Sequence, residues 1–354
     1  MFRKTLLFLA AVTLILAACA NPTTAPTATS IPTAVSAPTN APTATTAPSA
    51  TPAPTATPAP TETPAPTATT EPTETPALTF TDGLNNSITL ASPAQRIVSL
   101  APSNTEILFA IGAGKQVVGR DMFSDFPEEA KAATDIGGSF GDLNVEAILT
   151  LNPDLVLAGA LTTPEQVKSL QDANLTVYYL PNPLTLEELY ANLERVAQLT
   201  GHEAEAATLI ATLKGRVAKV VEKAAGLSEK PTVYYELDAT DPAAPYTAGP
   251  GTFIDTLIQM AGGLNIAGTM DSPWVQFSSE KLIELNPQII ILGDSAYGVT
   301  AESVAARSGW DVLDAVKNQQ IFPFDDNLVS RPGPRLVDGL EALAKILHPD
   351  LFKE

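Results

Sequence analysis

From about residue 78 onward, short apolar runs alternate with segments of helical spacing. Arg96-Ile97-Val98-Ser99-Leu100 reads as a strand. Ser103-Asn104-Thr105-Glu106 follows as a capping-box pattern, which predicts a helix through Ile111, with Gly112 and Gly114 placed to end it. Val117 and Val118 predict the next strand, and Leu155 to Leu157 another. Such βα alternation predicts a largely parallel sheet with helices on both faces.

One block recurs. Asn144 to Leu157 (Asn-Val-Glu-Ala-Ile-Leu-Thr-Leu-Asn-Pro-Asp-Leu-Val-Leu) reads like Ser278 to Ile291 (Ser-Ser-Glu-Lys-Leu-Ile-Glu-Leu-Asn-Pro-Gln-Ile-Ile-Ile), 134 residues later. In both, a polar cap opens a short helix with Glu at the same place, and Leu-Asn-Pro leads into an apolar strand. Proline stops the helix, and the apolar run suits a buried strand. A repeat this long predicts two similar lobes rather than a solenoid. Between them, Thr185 to Leu227 is rich in Ala, Leu, Glu and Lys, and Gly201 divides it. The second helix, about Glu203 to Ala225, would span roughly 34 Å. A single stiff connection predicts only modest opening of the lobes.

The first residues differ from all of this. Arg3 and Lys4 precede an apolar run from Thr5 to Leu16, too short to be read as a membrane span. Leu16-Ala17-Ala18-Cys19 then resembles the lipobox of bacterial lipoproteins, which implies cleavage before Cys19 and acylation of its thiol. Cys19 is the only cysteine, so no intrachain disulfide is possible. Residues 20 to 77 hold 14 of the 31 prolines and many threonines but almost no large apolar side chain. That segment is expected to be a disordered tether, able to reach roughly 180 Å if extended and suited to O-glycosylation. The expected organisation is therefore a signal at 1–19, a tether at 20–77, an N-terminal lobe at 78–184, bridging helices at 185–227 and a C-terminal lobe at 228–354. The net charge is −19, and −21 once Arg3 and Lys4 depart, which argues against nucleic acid as a partner.

The segment from Arg96 to Glu106 resembles the first βα unit of the helical-backbone periplasmic binding proteins, which serve cobalamin, ferric-siderophore and haem importers. Ser124-Asp125-Phe126-Pro127, Asn144 to Leu157 and Arg331-Pro332-Gly333-Pro334-Arg335 extend the resemblance over about 90 to 350. Within that family the sequence is most similar to the cobalamin-binding members. The resemblance implies an α/β fold of two Rossmann-like lobes bridged by one long helix, with the ligand in the cleft between them. It implies a monomer, lipid-anchored on the outer face of the cytoplasmic membrane, with no intrinsic cofactor. That monomer would deliver a corrinoid or other metal chelate to an ABC permease dimer and its ATPase. Ferric-siderophore or haem binding is the alternative ligand, and a surface sensor or adhesin the alternative class.

Residue roles follow from the same resemblance. Glu146 and Glu280 match the glutamates that dock on permease arginines; a helix-dipole role is the plain alternative. Phe123, Phe126, Phe140, Tyr246 and Trp274 match aromatic positions lining the cleft, where flat faces suit a rigid macrocycle. Ordinary core packing is the alternative for Phe123 and Phe126. Phe140 and Trp274 each lie six residues before the glutamate of their lobe, on what read as loops. Asn327 and Arg331 match polar contacts to the ligand's edge; for Arg331 a salt bridge with Asp325 or Asp326 is the alternative, and Arg335 reads as structural. Where some corrinoid binders carry a further tryptophan, this chain has Gly159. No hydrolase, phosphate-loop or zinc-protease motif is present, and His202 and His348 stand apart, so no enzymatic activity is expected. A bare metal ion would need clustered His, Asp and Glu, so any metal is expected to arrive as a chelate.

Overall fold

The computed structural model describes residues 77–138 and 143–353. The signal, Cys19, the tether through residue 76 and Phe140 lie outside the described residues.

The N-terminal lobe opens with a hairpin, β1 (Leu78–Thr81) and β2 (Ser87–Leu90), paired antiparallel. Asp82 holds its turn, accepting from the Leu84 and Asn86 backbone N–H groups at 2.9 and 2.8 Å. Next come β3 (Ile97–Ser99), α1 (Pro102–Ala110), β4 (Val117–Arg120), β5 (Thr134–Asp135), α2 (Val145–Thr150), β6 (Leu155–Ala158), α3 (Pro164–Asp172), β7 (Val177–Tyr179) and α4 (Leu186–Thr200). The five strands after the hairpin form one parallel sheet in the order β5-β4-β3-β6-β7. Its central strands β3 and β6 are buried along their whole length, as strands covered by helices on both faces must be.

Helix α1 departs from the sequence reading. It starts at Pro102 behind Ala101, with no side-chain cap, so Ser103 to Glu106 do not form a capping box. Proline at the first helical position needs no hydrogen bond and takes over the start. Glu106 is instead a buried acid in mid-helix.

The long helix α5 runs from Glu203 to Ala225, with left-handed Gly201 separating it from α4. Helix α4 buries Leu186, Leu189, Leu193 and Val196 and packs on α1, which makes it part of the N-terminal lobe; α5 alone crosses to the other side. There Arg216 grips α11 (Leu336–Leu347) through Asp338 and Glu341 at 2.6–2.9 Å.

The C-terminal lobe contains β8 (Thr232–Glu236), β9 (Tyr246–Ala248), α6 (Phe253–Met260), β10 (Leu264–Asn265), β11 (Trp274–Gln276), α7 (Ser279–Leu285), β12 (Ile289–Leu292), α8 (Ala301–Ala305), α9 (Asp314–Lys317), β13 (Ile321–Pro323) and α10 (Asn327–Ser330), before α11. Its parallel sheet has the order β10-β8-β12-β13. Tyr234 and Trp310 meet edge to face at 6.3 Å within its core.

The repeated block folds alike in both lobes. Asn144 caps α2 by accepting from Ala147 N–H, and Ser278 caps α7 by accepting from Lys281 N–H. Asn152 and Asn286 both take the left-handed conformation, at φ 45° and 41°, before Pro153 and Pro287. Strands β6 and β12 are buried throughout. In such sheets ligands sit beyond the carboxyl ends of the strands, where the strand order reverses. Those points lie between β3 and β6 in one lobe and between β8 and β12 in the other.

Candidate functional site

The loop that leaves β4 in the N-terminal lobe is fixed from below. Ser124 is fully buried; its hydroxyl donates to Asp121 and meets Thr105 Oγ1 at 2.9 Å, and Thr105 in turn meets Ser99 Oγ at 2.8 Å. This network pins the middle of the loop and leaves Met122, Phe123 and Phe126 exposed around it. The two phenylalanines are therefore outside the core, and Ser124 is the anchor of the Ser-Asp-Phe-Pro motif.

At the neighbouring strand ends the same lobe is closed. Asn104 Nδ2 donates to the carbonyls of Leu157 and Ala158 at 3.2 and 3.0 Å. A Cβ on Gly159 would lie 3.0 Å from Ala101 Cβ and 3.3 Å from Asn104 Nδ2. Gly159 is thus the residue that lets Asn104 cross, and a tryptophan there would have to displace it.

The C-terminal lobe offers an aromatic ribbon. Strands β9 and β11 pair antiparallel, with Trp274 opposite Ala248 and Gln276 opposite Tyr246. Opposed residues share a face and so do residues two apart, which places Tyr246 and Trp274 together. Trp274 thus sits on a short strand rather than a loop, and it is 55% exposed. Tyr246 also lines a cavity of about 610 Å³ at the carboxyl ends of β8 and β12.

The lobes meet through charged groups that the sequence reading did not pair. Arg335 donates to both carboxylate oxygens of Glu106 at 2.9 and 2.6 Å, and the Glu106 side chain is only 2% exposed. The Arg335 guanidinium also lies over the Phe126 ring, 3.9 Å from its centre. Arg331 pairs with Asp125 at 2.7 Å and approaches Glu106 at 3.6 Å. Its partners are therefore acids of the opposite lobe, not Asp325 or Asp326. Burial works to raise the Asp125 carboxyl, but the hydrogen bond and charge of Arg331 hold it below its usual value. Asn327 is the exposed first residue of α10 and donates to Asp325 Oδ1 at 2.9 Å.

A second buried charge group lies under the C-terminal cleft face. Glu236 ends β8 with its carboxylate fully buried, and Arg307 grips it, with Nη2 2.8 Å from Oε1. Asp294, just past β12, is 4% exposed. Burial first, and the Glu236 charge second, push its carboxyl up to about 6.

Glu146 and Glu280 are both exposed second residues of their helices, α2 and α7. Each helix leads into a parallel strand of its own sheet, β6 and β12, so the two glutamates hold matching places in the two lobes. Backbone N–H donation and Ser278 hold the Glu280 carboxyl below its usual value. Of the histidines, His202 is half-buried at the cap of α5, and His348 Nε2 lies 3.2 Å from the Gly262 carbonyl. Among the described residues no three His, Cys, Asp or Glu side chains cluster as a metal site.

A model of the periplasmic binding protein family matches residues 97–328. The chain is 36% identical over 282 residues to an uncharacterised ABC transporter substrate-binding lipoprotein of Bacillus subtilis, covering 78% of this chain and 87% of that protein. It is 31% identical over 278 residues to a cobalamin-binding protein of Halobacterium salinarum, covering 77% and 74%. A periplasmic haem-binding protein from Roseiflexus, solved in its apo form, superposes with a TM-score of 0.65 at 28% identity, over 74% of this chain and 100% of that one. With two parallel α/β lobes joined by one long helix and the family match spanning both, the chain belongs to the periplasmic binding protein family.

Proposed function

We propose that this protein is the lipid-anchored binding component of an ABC importer and that its ligand is a corrinoid. The observation that carries the ligand reading is the aromatic make-up of the cleft. Exposed Trp274 and Tyr246 share one ribbon face in the C-terminal lobe, while Phe123 and Phe126 stand out from the pinned loop of the other. Rings left exposed on rigid supports cover a flat macrocycle at little entropic cost. The cobalamin-binding relative supports the same ligand, and the lipoprotein relative supports acylation at Cys19. Glu146 and Glu280 then meet arginines of a two-fold permease, setting orientation more than affinity.

Ferric siderophores with anionic rims fit less well, because Arg331, Arg335 and Arg307 are already paired with acids. Haem is the second reading. Tyr246 and Tyr297 line one cavity, and a phenol there could ligate iron. Titration of the purified protein with cobalamin, cobinamide, haem and ferric hydroxamates, read by tryptophan emission, separates these. Quenching by cobalamin at or below the micromolar range is expected. A response confined to haem or to the hydroxamates would overturn the corrinoid reading.

A further inference from the structure

The cavity beyond β8 and β12 lies at the point where the strand order of the C-terminal sheet reverses, the place where open α/β sheets receive ligands. Its wall carries three carboxylates, Asp238, Asp294 and Asp326, with Thr240, Tyr246 and Tyr297 beside them. Among the described residues no Lys, Arg or His lines it. Asp294 is the unusual member. Its Oδ2 accepts from Ala239 N–H at 3.1 Å, while its buried Oδ1 has no hydrogen-bond partner among the described residues. A buried carboxylate oxygen left unpaired is costly, and it marks this wall as rich in acceptors and short of donors.

The equivalent crevice of the N-terminal lobe is instructive. There an amide, Asn104 Nδ2, fills the space and donates to carbonyl oxygens. In the C-terminal crevice Tyr235 Oη donates to Asp326 at 2.7 Å, but among the described residues lining it there is no such amide.

We infer that this acidic crevice is a specificity subsite that takes uncharged N–H donors, such as primary amides, from the ligand's rim and rejects rims bearing carboxylates. The inference rests on the corrinoid reading and sharpens it. A corrin decorated with amides supplies N–H donors to the more accessible acids of this wall, Asp238 and Asp326. The same ring decorated with carboxylates sets anions against three acids with no cation in the wall. The rule also disfavours haem, whose rim carries propionates, wherever those groups would enter this crevice.

The test compares dicyanocobinamide, which has an amide rim, with dicyanocobyrinic acid, which has a carboxylate rim on the same corrin. Both are titrated against the intact protein at neutral pH and moderate salt. Cobinamide is expected to bind at least about tenfold tighter, since like charges brought together at an interface are penalised. The ratio is expected to shrink in Asp294→Asn, which keeps the side chain's shape, and in Asp238→Asn, which changes an exposed residue. Equal affinity for the two corrins, or tighter binding of the acid, would overturn the subsite while leaving a corrinoid binder. Binding of neither corrin would overturn the subsite together with the reading beneath it.

Discussion

Asn152 and Asn286 hold the same left-handed turn, each passing the chain through proline into a fully buried strand, yet the loops beyond the two sheets differ in chemistry. The N-terminal lobe closes its crevice with Asn104 over Gly159 and displays Met122, Phe123 and Phe126. The C-terminal lobe leaves its crevice open, lines it with Asp238, Asp294 and Asp326, and sets Trp274 and Tyr246 on a ribbon alongside. A duplicated frame repeats the crevice, and under the proposed function the residues after each strand divide the work, with apolar cover from one side and polar recognition added from the other.

The most drastic way to test the equivalence of the lobes is to reverse both acids proposed to dock on the permease. Glu146→Lys with Glu280→Lys is expected to abolish uptake in cells while ligand affinity stays unchanged in titration. Unchanged uptake would remove these residues from docking. At the seam, Glu106→Ala leaves Arg335 unpaired in a mostly buried place and is expected to cost about 3–5 kcal/mol in chemical denaturation. Replacing Glu106 and Arg335 together by methionine should cost less than the single change. On the C-terminal face, Trp274→Ala is expected to weaken corrinoid binding by about 2 kcal/mol, near thirtyfold, by titration. The same truncation at Phe123 should cost less if the ribbon is the principal platform.

Asp294 gives a pH-dependent comparison. Its folded value of about 6 exceeds the ordinary 3.8, so the folded chain holds the proton that the unfolded chain releases between those values. Its ionisation therefore destabilises the fold as pH rises through that window, fully so above about 6. Asp294→Asn should melt higher than the parent at pH 7, by on the order of 2–4 °C for each kcal/mol recovered, and the gain should vanish toward pH 4. The smallest effect belongs to the exposed side of the seam. Asp125→Asn breaks the pair with Arg331 and is expected to cost no more than about 1 kcal/mol.

Much of this was legible along the chain because it is local. The Leu-Asn-Pro turns, the βα alternation and the long helix after Gly201 each depend on neighbouring residues. The aromatic positions stood out, although a strand as short as β11, flanked by Pro273, carries no usable alternation. What stayed hidden is long-range. Glu106 and Arg335 are 229 residues apart, and a glutamate after Ser-Asn-Thr imitates a cap. Its clue was an acid among apolar residues in mid-helix. Glu236, the single acid closing the apolar run Thr232 to Tyr235, was the corresponding clue to Arg307 and Asp294.

The decisive measurement is a crystal structure of the protein soaked or grown with cobalamin. A corrin ring is expected between the lobes, in van der Waals contact with Trp274 and with Phe123 or Phe126, and with rim amides entering the crevice at Asp238 and Asp326. A corrin bound outside that gap, or a gap that stays empty at saturating cobalamin, would contradict that expectation.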